Sequence, residues 1–323
     1  MRRPRMQVVI PAHRAAADIG ACIAGLLRAG FAPGDVVVVD DASSDGTAEI
    51  AKRAGVAVIR NGANMGAAAS RNAGAAAGTS DVIVFVDADV VVAPDTRAVI
   101  ERVLENPGVA AVFGAYDTAP MVTKTVSRFR NLLHRHTHVS HAGDVTSFWT
   151  GLGAVRRADF ESVGGFDSSQ RMMEDVKFGM ALARAGRRIV LCPDLQGTHR
   201  KGWSLAGMIR TDLLHRAIPW ARLLRSEGAA MPRALATDLG ARISVLSVLA
   251  MLVSVLAAFW APLAALAGLG ICGAVLIAAN WAFLRGLAGI GGLRLTLAAI
   301  PLLAVHYFCG GLGYAWVLVT PRR

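Results

Sequence analysis

The sequence predicts an α/β domain with a mostly parallel sheet, followed by a helical transmembrane region. Three observations carry this. Short Val- and Ile-rich runs alternate with segments of helical period through the first part of the chain. All 23 acidic residues lie at or before Asp238. Beyond it the only charges are Arg242, Arg285, Arg294, Arg322 and Arg323, and Ile243–Leu284 holds none, about twice the length needed to cross a hydrocarbon core.

The elements follow in order. Val8-Val9-Ile10, closed by Pro11, reads as a strand. Asp18–Ala29 places Ile19, Cys22, Ile23, Leu26 and Leu27 on one helical face, and Gly30 ends it. Val36–Val39 is all valine, apolar enough for burial on both faces, and Asp40-Asp41 follows. Ser44 or Asp45 can cap a helix running to Ala54. Val56–Ile59 is a third strand, Gly66–Ala77 an Ala-rich helix, and Val82–Val86 a fourth strand ending in Asp87-Ala88-Asp89. Further on, Glu174-Asp175 opens the helical stretch Val176–Ala185, which Gly186 ends. Arg188–Cys192 is strand-like and turns at Pro193, ahead of His199.

Composition sets the outer limits. Hydrophobic residues make up 54% and charged residues 18%, with a mean hydropathy of +0.46, which excludes a disordered chain. Cys22, Cys192, Cys272 and Cys309 form no CxxC pair, so neither a disulfide framework nor a zinc site is expected. The basic N-terminus carries an apolar run too short for a signal peptide, so the soluble part is expected to stay in the cytoplasm. No GxGxxG follows the first strand and no GxxxxGK[ST] occurs, which weighs against dinucleotide binding and excludes a P-loop nucleotidase. No nucleic-acid partner is expected.

In the tail, Phe259-Trp260-Ala261-Pro262 suits a turn between two spans, and Leu295–Val319 is a third uncharged run. Arg285 and Arg294 would flank an inside loop. The span count stays between two and three.

Parallel sheets bind ligands beyond the carboxyl ends of their strands. Three such ends carry polar clusters here: Pro11–Arg14, Asp40–Ser43 and Asp87–Asp89. Mg²⁺ and Mn²⁺ take carboxylate oxygens, through one or two carboxylates plus substrate phosphates, so a strand ending in Asp87-x-Asp89 suits such a cation. Asp175 and Glu174 have two readings: favourable charges in a helix first turn, or a carboxylate kept ionised as a general base. His199 could be structural or could complete the metal site begun by Asp89.

Together the segments VVIPAH, VVVVDDASSDGT, NMGAAASRNAGAAAG, VIVFVDADV, VGGFD, MEDV and GTH resemble the family-2 glycosyltransferases, which have a GT-A fold. The resemblance runs from Val8 to His199 in the family order. It implies a nucleotide-sugar donor, with Asp40 and Asp41 at the base and ribose, Pro11 and Ala12 supporting the base, Arg71 near the diphosphate and Asp87 facing the ribose. It implies Asp89 as holder of Mg²⁺ or Mn²⁺, His199 as a further ligand, Asp175 as the base and Glu174 as its support. Gly164, Gly165, Phe166 and Asp167 would shape the acceptor side. The chain departs from the family's P-A-Y-N-E, reading Pro11-Ala12-His13-Arg14-Ala15, so the donor base is not carried over.

Two further segments bear on the acceptor. Lys124–His141 is rich in Arg and His and reads as a solvated helix or as a cationic strip for an anionic lipid head group. Ser204–Arg225 mixes apolar residues with arginines, as an interfacial helix kinked at Pro219 would. Within it Arg216 and Trp220 resemble in placement the QxxRW motif of processive synthases, without its Gln. The expected organisation is a GT-A domain over 1–203, an interfacial segment over 204–240 and two to three membrane helices over 241–323. The expected activity is inverting transfer to a lipid or lipid-linked acceptor at the cytoplasmic membrane. A processive synthase and a non-catalytic assembly protein are the alternatives.

Overall fold

The computed structural model describes residues 3–227 and 239–320. It divides into two compact units, one of residues up to Val122 with Thr137–Lys201, the other of Thr123–His136 with Gly202 onward. The N-terminal elements alternate as the sequence predicts: β1 (Met6–Ala12), α1 (Ile19–Arg28), β2 (Val36–Asp40), α2 (Thr47–Arg53), β3 (Ala57–Arg60), α3 (Ala67–Ala76) and β4 (Val82–Val86). Then come β5 (Val90–Val92), α4 (Thr96–Leu104), β6 (Val109–Tyr116), α5 (Thr125–Ser140), β7 (Gly143–Val145), β8 (Leu152–Arg156), α6 (Arg157–Ser162), α7 (Glu174–Arg184) and β9 (Arg188–His199).

Among the described residues the strands form one sheet ordered β3-β2-β1-β4-β8-β6-β9-β5, with β7 paired to β9. The parallel expectation holds from β3 to β4 and for β6 with β9, whereas β8 runs antiparallel to both β4 and β6. β2 and β4 are buried at every position, which accounts for their unbroken valine and isoleucine runs. Alternate residues supply two cores. Val8, Ile10, Val36, Val38, Val82 and Val84 face α1 and α4, while Val9, Val37, Val39, Ile83 and Phe85 face α3, α6 and α7.

One strand differs from expectation. Pro193 does not end it: β9 continues to His199, and a bulge against β6 absorbs the proline, Phe113 pairing with Leu191 but Ala115 with Gln196. His199 is therefore the last residue of a strand.

The second unit holds the first turns of α5, α8 (Leu205–Arg210), a π-helical stretch Thr211–Ala217, α9 (Ile218–Glu227), α10 (Leu239–Ala257), α11 (Pro262–Ala279) and α12 (Trp281–Val319). Three of these helices are long and apolar enough to cross a membrane. The turn expected at Phe259–Pro262 is present, with Pro262 opening α11. The loop expected between Arg285 and Arg294 is not. That stretch is helical and breaks only at Gly292, whose φ of 70° glycine adopts without steric cost. Pro219, where a kink is expected, is the second residue of α9, just after the π-helical stretch. Arg322, Arg323 and residues 228–238 of the expected interfacial segment lie outside the described residues.

Lys124–His141 is not an open cationic strip. Ser127, Phe129, Arg130, Asn131 and Leu132 are buried, Arg130 is paired with Asp212, and its guanidinium lies 4.9 Å from the Trp203 ring centre. Phe129 and Leu132 instead share a core with Met208, Phe283, Leu287 and Leu303. The sequence pattern shows the charges of α5 but not the apolar stripe's partner.

In the first unit, α7 reaches its position through Gly179, where a methyl group would meet the backbone of Ser147 and Phe148. Gly179→Ala is expected to cost about 1–3 kcal/mol through overpacking, lowering the melting midpoint. Gly34→Ala, with nothing within 4 Å of the added carbon, is expected to leave that midpoint unchanged. Thermal unfolding in detergent measures both.

Candidate functional site

Three chain segments far apart in sequence meet at Arg71. Its side chain is only 5% exposed, and its two terminal nitrogens donate at 2.8 Å to Asp87 Oδ1 and to Glu174 Oε1. Asp87 is there because β4 ends at Val86, and Glu174 because α7 begins with it. Met173, just ahead, holds a left-handed conformation at φ 66° that its side chain disfavours, at the point where the chain enters the helix. Arg71 also lies over the Phe166 ring at 5.8 Å.

Asp175 follows directly. Burial, and then the charge of Glu174, push its carboxyl up to about 7, against the opposing pull of Arg71. One oxygen accepts from the Val176 backbone N–H at 2.8 Å. A carboxyl tuned near neutrality can take a proton from a hydroxyl and release it again at physiological pH.

The last strand supplies the other half of the site. β5 and β9 are antiparallel with Val90 opposite His199, so Asp89 stands beside the end of β9. The Arg200 N–H donates to Asp89 O at 2.9 Å, and His199 Nε2 lies 3.4 Å from Asp89 Oδ2. Burial raises the Asp89 carboxyl, but the facing His199 outweighs it and holds the group below the usual carboxylate range. Two donors at this separation, one hard oxygen and one imidazole, fit adjacent positions on Mg²⁺ or Mn²⁺, where ligand distances near 2.1 Å set neighbours about 3 Å apart. Among the described residues no group of three or more such ligands occurs.

The nucleoside-side candidates are placed at the ends of β1 and β2. Pro11 and Ala12 pair with Val39 and Asp40, and the Asp41 N–H donates to Ala12 O at 2.8 Å. Both acids are buried. Asp40 Oδ1 accepts from the Ser43 N–H at 3.2 Å and Oδ2 faces Arg60 Nε at 3.2 Å. Asp41 accepts from Asn61 Nδ2 and from the Met65 and Gly66 N–H groups, each at 2.8 Å. In this conformation the two carboxylates organise loops. His13 is exposed, its Nδ1 2.7 Å from Asp41 O.

On the expected acceptor side, Gly164 and Gly165 have φ of 80° and 70°. Asn72 holds the following turn at both ends, donating to Phe166 O at 2.7 Å and accepting from the Phe166 N–H at 3.0 Å. Phe166 is buried against Phe85, Phe160 and Phe178. Asp167 is exposed, its carboxyl held low by Ser169. Arg216 and Trp220 belong to the second unit.

Sequence reasoning missed Asn72, Tyr116 and Trp149. Asn72 sits in the quoted SRN segment beside Arg71, a signal that was available. Tyr116, stacked on His199 with ring centres 4.6 Å apart and planes at 21°, is placed only by the β6–β9 pairing.

Arg71→Met should destabilise the protein by about 3–5 kcal/mol, because it leaves two carboxylates without their shared cation. Arg71→Lys should fall between that variant and the wild type, since an ammonium lacks the planar fork that reaches both acids. The order is read from melting midpoints; equal midpoints for the Met variant and wild type would show that the clamp contributes nothing.

Comparison with known proteins bears on the family and the fold. Residues 7–164 match the model of glycosyl transferase family 2. An uncharacterized glycosyltransferase of Haemophilus influenzae is 26% identical over 190 residues, covering 55% of this chain and 61% of that protein. The O-antigen chain rhamnosyltransferase WbaN of Salmonella anatum is 24% identical over 211 residues, covering 58% of this chain and 64% of its own length. The matches thus span less than two thirds of these relatives. Among solved structures, the mannosyltransferase PcManGT of Pyrobaculum calidifontis, in complex with GDP-Man and Mn²⁺, superposes with a TM-score of 0.56 at 22% identity, covering 98% of this chain and 88% of that one. Over residues 7–164 the chain matches glycosyl transferase family 2, and it resembles the GT-A glycosyltransferases in fold, with three C-terminal helices long and apolar enough to cross a membrane.

Proposed function

We propose that the protein is a membrane-anchored, metal-dependent, inverting glycosyltransferase that moves a sugar from a nucleotide-sugar donor to a lipid-linked acceptor hydroxyl or phosphate. The observation that carries this is the junction at Asp87: through Arg71 it adjoins Glu174 and Asp175, and one residue on stands Asp89 with His199. A proton acceptor and a two-donor cation site at one end of one sheet are what a single displacement requires.

Asp175 accepts the proton as the acceptor oxygen bonds to the anomeric carbon and the carbon–oxygen bond to the diphosphate breaks. The leaving group departs with the electron pair of that bond. A divalent cation held by Asp89 and His199 would supply charge neutralisation to that diphosphate. Glu174 and Asp87 hold Arg71 in place, Pro11, Ala12, Asp40 and Asp41 form the nucleoside end, and Gly164–Asp167 border the acceptor. A base near pH 7 favours a hydroxyl over an already ionised phosphate. The lipid-linked acceptor is supported by the apolar helices and by the relative named for an O-antigen chain. Exposed Leu205, Ile209 and Leu214 interleave with exposed Arg210, Arg216 and Arg222, as suits a segment lying on a bilayer surface with the catalytic domain on the cytoplasmic side.

The test follows radiolabelled sugar from a nucleotide-sugar panel into organic-extractable product. Asp175→Asn should lower the rate about 10²–10⁴-fold with donor affinity retained. In the wild type the rate should fall about tenfold per pH unit below 7, because an Asp whose carboxyl titrates near 7 loses its base form there. A flat profile from pH 5 to 8, or a variant that keeps most of its turnover, would move the base elsewhere.

For the cation, Asp89→Ala should abolish transfer and remove the Mn²⁺ dependence of nucleotide binding measured by calorimetry. Unchanged Mn²⁺ dependence in this variant would take Asp89 out of the site.

A further inference from the structure

We infer that Tyr116 is a positioning residue for the cation site, acting through His199 and itself braced by Trp149; this rests on the proposed role of His199 as a ligand. An imidazole turns about its own side-chain bonds, and a metal-binding histidine needs something that fixes its ring. Here the Tyr116 ring lies parallel to His199, with centres 4.6 Å apart and planes at 21°, while Nε2 points to Asp89 Oδ2 at 3.4 Å. Rotating the imidazole out of that plane would carry Nε2 away from Asp89 and into the tyrosine face.

The strand register explains how the two rings meet. Tyr116, the last residue of β6, pairs with Gly197 on β9, two residues before His199 and therefore on the same face as His199. Gly197 carries no side chain, and a methyl group there would lie 2.7 Å from Val90 Cγ1. With that position empty, the Tyr116 ring reaches along the strand to His199. Trp149 meets Tyr116 edge-on at 5.0 Å and 90°. His138, whose Nδ1 lies 2.9 Å from Gly114 O, meets Trp149 at 5.0 Å and 83°. Tyr116 and His138 are buried, so the column is a built feature of the core, and neither Asp175 chemistry nor the Arg71 clamp uses it.

The experiment titrates Mn²⁺ alone into the full-length protein and reads free Mn²⁺ by electron paramagnetic resonance, with pulsed measurement of nitrogen coupling to the bound ion. Wild type should show one imidazole nitrogen, and His199→Ala should lose it. Tyr116→Leu should weaken Mn²⁺ binding about tenfold, within the 10–100-fold range of outer partners of metal ligands, and reduce the nitrogen coupling. Tyr116→Phe, which keeps the ring, should bind within twofold of wild type. Trp149→Phe should fall between them and serves if the leucine variant does not fold. A normal Mn²⁺ affinity and nitrogen coupling in Tyr116→Leu, with His199→Ala impaired, would overturn the positioning role alone. Wild type without nitrogen coupling, or unaffected by His199→Ala, would overturn the metal reading and this inference with it.

Discussion

One buried cation holds the site together. Arg71 is the meeting point of α3, the end of β4 and the start of α7, and two of the three acids gathered there share its charge. In a buried setting such an arrangement is costly to break and gains little over an apolar one, so its presence here points to the site rather than to stability. The arithmetic of charge then sets the chemistry. One guanidinium faces Asp87 and Glu174 at hydrogen-bond distance, and among the described residues Asp175 has no cation of its own at that range. Burial and the neighbouring Glu174 therefore prevail, and its carboxyl rises to about 7. The contact that fixes α7 is thus also what leaves Asp175 tuned near neutrality.

The second half of the site depends on sheet geometry instead of a local motif. Asp89 ends the Asp-Ala-Asp turn after β4, but its partner comes from 110 positions later. The antiparallel register of β5 with β9 closes that distance, and the bulge near Pro193 sets which β9 residues fall opposite Ala115 and Tyr116 of β6. A proline that reads as a strand terminator is here part of the spacing that brings Tyr116 of β6 level with Gly197, two residues before His199.

These differences explain what was legible in the chain. Strands of unbroken valine, the Ile19–Leu26 stripe and the acids at strand ends are local signals, and the structure reproduces them. The glycosyltransferase motifs were legible because their order is preserved from Val8 to His199. Contacts that depend on non-local pairing left no local mark: Tyr116 on His199, the α5 stripe on the C-terminal helices, and Arg130 on Asp212. Asp212 itself was passed over because one acid among arginines and leucines resembles a solvated face. The π-helical stretch from Thr211 to Ala217 instead buries it.

On the proposed reading of Ser204–Arg225 as a segment lying on a bilayer, that burial changes where the attraction to an anionic surface comes from. A carboxylate paired with Arg130 on one oxygen and with His306 Nδ1 at 3.0 Å on the other cancels charge that α5 would have offered to an anionic surface. The attraction then falls to Arg210, Arg216 and Arg222, which remain exposed, on the order of 1 kcal/mol each. Leu205, Ile209 and Leu214 stay exposed in the same stretch, so apolar insertion and charge act on one segment. Salt screens exposed arginines strongly and a buried ion pair weakly. Attraction carried by this stretch is therefore salt-sensitive, whereas the tie between α5 and the π-helical turn is not. On that reading the second unit separates two electrostatic tasks by burial: Arg130 holds helices together, and the exposed Arg210, Arg216 and Arg222 are left to meet a surface.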